Sequence, residues 1–473
     1  MRRMAVALVA FPLAACMMGP NYHRPSVEAP PAWRFEMAEA SATANTAWWH
    51  QFEDPVLDGL IADALAHNLN VQIAAANVEQ AAAVLTQAKA PLYPQLGYSG
   101  DASKSRSSET NAAPIPSSVP NPQTAYQVLA GASWELDLWG RIRRLSEAAR
   151  AQLYATQEAR RGVVLSLVSA VATSYVQLRA YDEQLVIARR TKDAYGESVR
   201  LFELQHEHGV VSRMTVEQAR VQYETAAAAV PGIESAIAQT ENALSILLGR
   251  NPGPIPRGLA ITALTLPPVP SGIPSEVLER RPDVRQAEQT LVAANARIGA
   301  AKALYFPTIS LTGSYGTSSA ELGGLFKGPS KVWSYAGSIV GPIFTGGATR
   351  AGVRQAEAGR KAAELGYVAA IQSAFADVDD ALVSRQKLAE QLDAQGRLVA
   401  AAREYARLAR LQFDGGVAPY MTVLQAEQAL FPAELNEVQT RASLFASTVN
   451  IYKAMGGGWV AEAEQRTVAG PSP

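Results

Sequence analysis

The stretch "KAPLYPQLGYSG" (residues 89–100) occurs a second time, without a gap, as "KALYFPTISLTG" (residues 302–313). The offset between the copies is 302 − 89 = 213, and Pro94 and Pro307 keep it. Each copy passes from a helix-like alanine run, through a proline, into a segment of alternating character. We therefore expect a fold built from a duplicated unit.

The repeat extends through most of the chain, although its offset shortens slightly. The stretches "GVVSRMTVEQA" (residues 209–219) and "GVAPYMTVLQA" (residues 416–426) share seven residues at an offset of 416 − 209 = 207. The expected organisation is given by residue ranges. Repeat 1 covers 54–250, a Pro/Gly-rich crossover covers 251–274, repeat 2 covers 275–458 and a tail covers 459–473.

The amino end resembles a targeting segment. "MRRMAVALVAFPLAAC" (residues 1–16) has two arginines, a short apolar run and small residues before Cys16, which is typical of a secretory signal peptide, here residues 1–15. Cys16 is the only cysteine, so it is either an inert thiol or a modified one. "LAAC" resembles the bacterial lipoprotein processing box, which favours lipidation at Cys16. Residues 16–53 are then a lipid-anchored N-terminal segment.

The composition favours helices and gives no sign of nucleic-acid binding. Net charge is −1, 18% of residues are charged, and the 48% hydrophobic content leans on alanine, a strong helix former. Beyond the leader no apolar run reaches the roughly 20 residues of a membrane-spanning helix. A membrane crossing would then require a closed β-barrel.

Each unit begins with a predicted helix. The first helix starts at Asp54 and runs to about Ala90, and the second starts at Ser275 and runs to about Leu304, with a break at Pro282. Two predicted strands follow in each unit, because apolar and aromatic residues alternate with polar ones. The strands cover about 95–106, 125–138, 307–319 and 332–344.

The predicted strands suit an outer-membrane barrel. Each strand has the length of about 10 residues that such a barrel needs, with one apolar face, one polar face and aromatic residues near its ends. Ordinary surface hairpins are the alternative. In the membrane interpretation, the polar faces line a wet lumen. The residues expected there are Asp101, Gln127, Glu135 and Asp137.

Long helices with apolar seams follow the strands. From Arg141 to about His208 a helix would be roughly 100 Å long at about 1.5 Å per residue. The seams predict coiled-coil packing. Their residues are Val164, Val168, Val171, Tyr175 and Leu178 in the first unit and Val368, Ile371, Phe375, Val378 and Leu382 in the second. Gly209 and Gly415–Gly416 break the helices, and a second helix then returns the chain.

Four membrane strands cannot close a barrel, and open strand edges are not tolerated in lipid. Two chains would supply eight strands, whose interior is filled by side chains, whereas three chains would supply twelve and leave a lumen. The expected fold is therefore mainly α with membrane β, a duplicated helix–strand–strand–long-helix–helix unit that forms a homotrimer.

Three stretches resemble the outer-membrane efflux channels of the TolC/OprM type, particularly their lipoprotein branch. They are "GPNYHRP" (residues 19–25), "WWHQFEDPVLDGLIADALAHNLNVQIAAANVEQA" (48–81) and "LERRPDVRQAE" (278–288). The resemblance implies a trimeric 12-stranded β-barrel joined to a long periplasmic α-helical barrel. It also implies a periplasmic adaptor, an inner-membrane pump that is proton-driven, and an outer-membrane location without a cofactor.

The resemblance also implies where the periplasmic tip lies. The glycine turns would contact the adaptor through Gly209, Val210, Gly416 and Val417. In several members of this family, aspartates after the second turn ring the closed aperture. The matching residues here are Thr422 and Gln425, with Thr215 and Gln218 in the first repeat, so a polar but uncharged gate is expected.

Other functions are less well supported by the sequence. The main alternative is an exported structural or adaptor protein, a coiled-coil rod without a pore, and protein secretion of type I shares the channel architecture. No nucleophile motif or metal-ligand cluster is apparent, so we do not expect an enzyme. Arg143–Arg144 and Arg280–Arg281 are interpreted as solvated helix charges. The transported substrate is not specified, although the lipoprotein branch favours small molecules such as drugs.

Overall fold

A computed structural model describes residues 17–27, 30, 33, 47–110, 116, 120–269, 277, 279–456 and 459–460. The signal peptide, Cys16, Ser275 and most of the tail therefore lie outside the described residues. The chain forms two compact units. Unit 1 takes the described residues of Met1–Pro25, Val78–Thr156 and Ala287–Tyr367, and unit 2 takes those of Ser26–Asn77, Gln157–Gln286 and Val368–Pro473.

Unit 1 contains one antiparallel sheet of four strands in the order β1-β2-β3-β4. The strands are β1 (Gln95–Ser105), β2 (Gln123–Leu136), β3 (Thr308–Ser319) and β4 (Lys331–Val340). The first three lie within two residues of the predicted bounds. The fourth was predicted to run to residue 344 and ends at Val340, because Pro342 has no N–H to donate to a ladder.

The sheet has one apolar and one polar face, since side chains alternate along each strand and the pairing register aligns them across strands. The larger side chains of the apolar face are Leu96, Tyr98, Tyr126, Val128, Trp134, Ile309, Leu311, Tyr315, Trp333, Tyr335 and Ile339. The polar face includes Ser99, Asp101, Ser103, Gln127, Ser133, Ser310, Thr312, Ser314, Ser334 and Ser338. Much of the apolar face is exposed, with Tyr98 93% and Tyr335 80% accessible.

The α-helices with defined bounds are α1 (Pro55–His67), α2 (Leu69–Lys89), α3 (Arg141–Glu207), α4 (Arg213–Leu247), α5 (Pro282–Ala303), α6 (Ala348–Asp414) and α7 (Tyr420–Ala454). The duplication is visible in their lengths. Helices α3 and α6 each have 67 residues, and α4 and α7 each have 35. The first residues of α2 and α5 differ in number by 282 − 69 = 213, and those of α3 and α6 differ by 348 − 141 = 207.

The prediction of one helix from Asp54 to Ala90 is wrong, because Asn68 separates α1 from α2. Asn68 has an extended backbone conformation, and its side-chain oxygen accepts a hydrogen bond from Val71 N at 3.2 Å. Its amide nitrogen donates to Leu247 O at 2.9 Å. The side chain thus caps the second helix and ties it to the end of α4.

The core of unit 2 is built from α1, α3, α4, α7 and part of the crossover. Trp48 is fully buried and stacks on Tyr452, with ring centroids 5.2 Å apart. The crossover contributes Ile255 and Ile261 to this core, so it is a packed segment rather than a free linker. Close by, the buried Asp54 carboxylate accepts hydrogen bonds from Tyr175 Oη at 2.7 Å and Leu259 N at 3.0 Å.

Helix α3 meets the length and composition of a membrane span, in contrast to the expectation that no such run follows the leader. The first seam explains its apolar character. Val164, Val168, Val171, Tyr175 and Leu178 are all buried, and most of the apolar window lies inside the protein. A buried core helix passes the same compositional test as a membrane span.

The interpretation of the arginine pairs as solvated charges is wrong for Arg144 and Arg281. Arg144 is 1% exposed in unit 1, and its guanidinium donates to Met18 O at 3.0 Å and to Asn21 Oδ1 at 3.0 Å. Arg281 is 8% exposed in unit 2, where it donates to Asp377 Oδ2 at 2.7 Å and to a backbone carbonyl. Both arginines are buried structural clamps.

Candidate functional site

Two glycine turns, each at the end of a long helix, form the candidate site in unit 2. Gly209 lies between α3 and α4 with φ of 72°, and Gly416 lies between α6 and α7 with φ of 71°. This left-handed conformation favours glycine over residues with a side chain. The following valines project from the turns, with Val210 70% and Val417 81% exposed. The residues predicted to contact an adaptor are therefore accessible.

A compact aromatic cluster joins the two hairpins next to the turns. Phe202 of α3 lies 4.1 Å from Tyr420 of α7, and Phe413 of α6 lies 5.4 Å from Tyr420, measured between ring centroids. Phe202 is fully buried, and Val216 of α4 and Val423 of α7 pack in the same cluster. All four helices therefore share one small apolar core near their turns.

Sequence reasoning missed this cluster because it is absent from the repeat. At the offset of 207, Phe202 corresponds to Ala409 and Tyr420 corresponds to Arg213. The available signal was the position of Phe202, Phe413 and Tyr420, each within seven residues of a predicted glycine turn.

A polar layer follows the aromatic cluster, farther from the turns. Arg410 of α6 lies 3.7 Å from a carboxylate oxygen of Glu427 of α7 and 3.4 Å from Ser198 Oγ of α3, to which it donates. Tyr195 of α3 donates to the backbone oxygen of Glu427 at 3.2 Å. Burial raises the pKa of the Glu427 carboxyl. Burial, with a contribution from Glu427, also raises the pKa of Tyr420 to about 12.

Glu434 holds three helices together two turns farther along α7. Its carboxylate, 6% exposed, accepts from Arg190 of α3 at 2.5 Å and from Arg403 of α6 at 2.7 Å. Two charge-assisted bonds on separate oxygens satisfy the buried carboxylate. The two hairpins are thus fastened by the apolar cluster and by the ion pair between Arg190 and Glu434, while Arg403 holds the same carboxylate from within the second hairpin.

The four predicted gate residues lie on the helices that follow the turns. Thr215 is half-buried and its hydroxyl lies 3.2 Å from Ser212 Oγ, within the cap of α4. Thr422 and Gln218 are half-buried, and Gln425 is exposed. The gate role of these residues stays a prediction.

The predicted lumen residues fall into two groups in unit 1. Asp101 and Gln127 are opposite each other across β1 and β2, on the polar face. Glu135 is on the same face, where it pairs with Arg141 at 2.8 Å. Asp137 lies past the end of β2, which corrects its assignment to a strand. Its carboxylate accepts from the backbone N–H groups of Ile142 and Arg143, so it caps α3.

Comparison with known proteins places this geometry in a family. The sequence profile of the outer membrane efflux proteins matches residues 60–250 and 273–457, which are the two repeats. The chain belongs to the outer membrane efflux protein family. It is therefore an outer-membrane efflux channel protein, and its family is a transport family rather than an enzyme family.

Relatives cover nearly the whole of this efflux protein. The antibiotic efflux pump outer membrane protein ArpC of Pseudomonas putida is 35% identical over 471 residues, which are 98% of this chain and 96% of ArpC. The cation efflux system protein CusC of Escherichia coli is 34% identical over 459 residues, which are 95% and 97% of the two chains.

A solved structure supports the fold of the efflux protein. The crystal structure of the open state of the Neisseria gonorrhoeae MtrE outer membrane channel matches with a TM-score of 0.85 and 35% identity. The match covers 94% of this chain and 99% of the MtrE chain. The expected combination of membrane strands and long helices is confirmed.

Proposed function

We propose that three copies of this chain form a passive exit duct for small molecules in the outer membrane. The sheet of unit 1 carries this proposal, because it has one apolar face and one polar face. Its two outer strands, β1 and β4, each have one edge without a hydrogen-bonded strand within the described residues. Lipid does not tolerate open edges. Pooling four strands from each of three chains gives a 12-stranded barrel with a lumen.

In this trimer the polar sheet face lines the duct, with Asp101, Gln127 and Glu135 among its residues. The long helices supply a helical barrel that extends into the periplasm. Gly209, Val210, Gly416 and Val417 dock a periplasmic adaptor, which connects the duct to a proton-driven inner-membrane pump. The duct itself has no energy source, so the adaptor opens it only through contacts that differ between the closed and open states.

The constriction near the turns is proposed to be uncharged, with Thr215, Gln218, Thr422 and Gln425 facing the axis. Carboxylate rings attract cations, whereas hydroxyl and amide groups do not concentrate them to the same degree. A polar, neutral gate suits a duct for organic molecules. ArpC, named for antibiotic efflux, and CusC, named for cation efflux, are almost equally similar to this chain. The similarity therefore does not distinguish the two substrate classes, and the proposal of organic molecules depends on the argument about the gate.

We further propose that Cys16 is acylated after removal of residues 1–15. The segment after it is held on unit 1: Met18 N donates to Trp139 O at 3.1 Å, and Arg144 binds Met18 O. Trp139 stacks on Phe306, with centroids 4.6 Å apart, where β2 leads into α3. An acyl chain on Cys16 would begin two residues before Met18, and aromatic pairs such as this one favour the membrane–water interface.

The function is tested with the purified, acylated chain. We expect a trimer by light scattering in detergent and stepwise ion conductance in planar bilayers. A chain carrying Cys16→Ser is the matched control for the anchor, and it should keep conductance once reconstituted. A monomer that conducts no ions would contradict the duct and favour a structural rod.

A further inference from the structure

The strands of unit 1 contain four charged residues, and the two signs lie on opposite faces of the sheet. Lys104 of β1 and Lys331 of β4 belong to the apolar face, because each is an even number of residues from an aromatic side chain of that face. Asp101 and Glu135 belong to the polar face. The apolar face therefore carries positive charge alone.

Both lysines lie at the same end of the sheet. Lys104 is the penultimate residue of β1, and Lys331 is the first residue of β4, so each is next to a connection between strands. The other end of the sheet is joined to helices, since β1 and β3 begin after α2 and α5, and β2 and β4 end before α3 and α6. With the long helices in the periplasm, the two lysines lie at the outer surface of the membrane.

Neither ammonium group is neutralised within the part of the chain that the structure describes. Both lysines are exposed and have no ion pair there. Glu109, five residues after Lys104, instead pairs with Arg106 at 3.2 Å. A lysine on the lipid face of a barrel is costly at the middle of the bilayer and costs little near its surface. The two positions therefore suit the level of the lipid headgroups.

Two aromatic rings mark the depth of Lys331 in the membrane. Trp333 and Tyr335 stack with ring centroids 5.6 Å apart and are 67% and 80% exposed. Such rings favour the headgroup level of a membrane. Trp333 is the next residue of the same face after Lys331, about 7 Å along the strand. From this level the long side chain of Lys331 can extend its charged end to the lipid phosphates.

We propose that Lys104 and Lys331 bind the phosphate groups of anionic lipids in the outer leaflet. Charge complementarity commits the surface to this occupant, because unpaired ammonium groups lie at the level of the headgroups and apolar residues lie at the level of the acyl chains. Lysine binds phosphate as a point charge without demanding one geometry. The inference rests on the proposed placement of the apolar face in lipid and adds which lipids this face binds.

Protection of free strand edges is a different role for the same lysines. Lys104 and Lys331 are on the outer strands β1 and β4, and lysine is common on edges that must not pair with another chain. That role involves no phosphate, so it predicts aggregation when the lysines are lost and an unchanged affinity for lipid. It also conflicts with the proposed 12-stranded barrel, in which both edges are covered.

The lipid site is tested by titrating the purified, acylated chain in neutral detergent with diphosphoryl lipid A. Bound lipid is counted by native mass spectrometry, and EDTA removes divalent cations that would bridge phosphates. Lys104→Gln combined with Lys331→Gln should bind this lipid roughly 30-fold more weakly. Lys104→Arg combined with Lys331→Arg keeps both charges and should bind as the parent chain does.

Two comparisons control for net charge and for the phosphate. Lys361→Gln combined with Lys387→Gln removes two exposed lysines of α6 and no residue of the sheet, and it should leave the affinity unchanged. Dephosphorylated lipid A should bind weakly to the parent chain and equally weakly to the glutamine variant of the sheet. Conductance of every variant is recorded in bilayers of phosphatidylcholine.

The outcomes separate the lipid site from the duct. Equal affinity of the parent chain and the glutamine variant of the sheet for diphosphoryl lipid A overturns the site, and so does an equal loss in the α6 variant. Aggregation of the sheet variant with unchanged lipid affinity assigns the lysines to edge protection instead. A chain that conducts without binding lipid A contradicts the site and leaves the duct. A chain that binds lipid A through these lysines without conducting contradicts the duct alone.

Discussion

The ring centroids of Phe202 and Tyr420 lie 4.1 Å apart, although the two residues are distant in the sequence. Each ring belongs to a different helical hairpin of unit 2, and Tyr420 is the first residue of α7. The contact therefore fixes one hairpin to the other beside the glycine turns. In the proposed gate, opening of the channel at these turns has to change the contact between Phe202 and Tyr420.

Phe202→Ala should loosen the turns. Truncating a fully buried phenylalanine costs about 3–5 kcal/mol, and the loss falls on the cluster that joins the hairpins. We expect faster hydrogen exchange of the amides of residues 413–424 and a larger open fraction in single-channel recordings. Leu201→Ala is the matched control, because Leu201 is adjacent and 42% exposed. Equal exchange in both variants would argue against a fastening role for the cluster.

Glu427 should make the stability of the hairpin contact depend on pH. Burial raises the pKa of its carboxyl, so the folded protein holds this proton more tightly than the unfolded chain does. Stability therefore falls as the pH rises from the ordinary glutamate pKa of about 4.3 through the raised value. Above the raised value, the full penalty of a buried charge remains.

Glu427→Gln should remove this pH dependence, which urea unfolding between pH 4 and pH 8 measures as a flatter profile. Tyr195, Arg410 and Tyr420 surround the carboxylate and remain in the variant. Glu404→Gln is the control, because Arg407 lowers the pKa of Glu404 and its slope has the opposite sign. Parallel pH profiles of the parent chain and Glu427→Gln would contradict this assignment.

Glu434→Gln should destabilise unit 2 by about 2–3 kcal/mol. This is the cost of losing a charge-assisted hydrogen bond while the arginine that made it remains in place. The amide cannot accept from both Arg190 and Arg403, which now share one carboxylate. Chemical unfolding followed by circular dichroism measures the change. Glu197→Gln breaks an exposed pair with Arg200 and should change the free energy of unfolding by less than about 1 kcal/mol. Equal effects would mean that the buried clamp contributes no more than a surface pair.

Gln425→Asp should make the duct sensitive to divalent cations. In a trimer it adds three carboxylates at the proposed constriction, where rings of acidic side chains bind cations. Single-channel current is recorded while Mg²⁺ is titrated, and block at lower Mg²⁺ than in the parent chain is expected. Gln239→Asp places the same charge on an exposed position of α4 far along the chain from the turn. Identical titrations of both variants would place Gln425 outside the constriction.

The repeat and its periodicity predicted the sheet and the long helices because these elements depend on local patterns. Alternation revealed both faces of the sheet, and the glycine pair revealed the turns. Contacts between distant residues were not predictable in the same way. The sequence predicts a solvated charge at Arg144, because no residue near it in the chain indicates that Met18 and Asn21 accept hydrogen bonds from its guanidinium.

The candidate site was predicted only where the two halves agree. Gly209 and Gly416 were found because both repeats keep them. Phe202, Phe413 and Tyr420 were missed because their counterparts are Ala409, His206 and Arg213, so comparison of the halves could not reveal them. The residues that fasten one hairpin to the other differ between the repeats because an asymmetric contact needs different partners on its two sides.

The long helices of the two repeats are equal in length, so the change in offset between the repeats must arise elsewhere in the chain. The offset falls from 213 to 207 within the hairpins, where the connection from β1 to β2 spans 106–122 and the shorter one from β3 to β4 spans 320–330. The two connections differ in length, whereas the paired helices α3 and α6, and α4 and α7, have the same residue counts. The difference of six residues between the two offsets therefore lies in the connection between the strands, whereas the long helices of the two repeats have equal lengths.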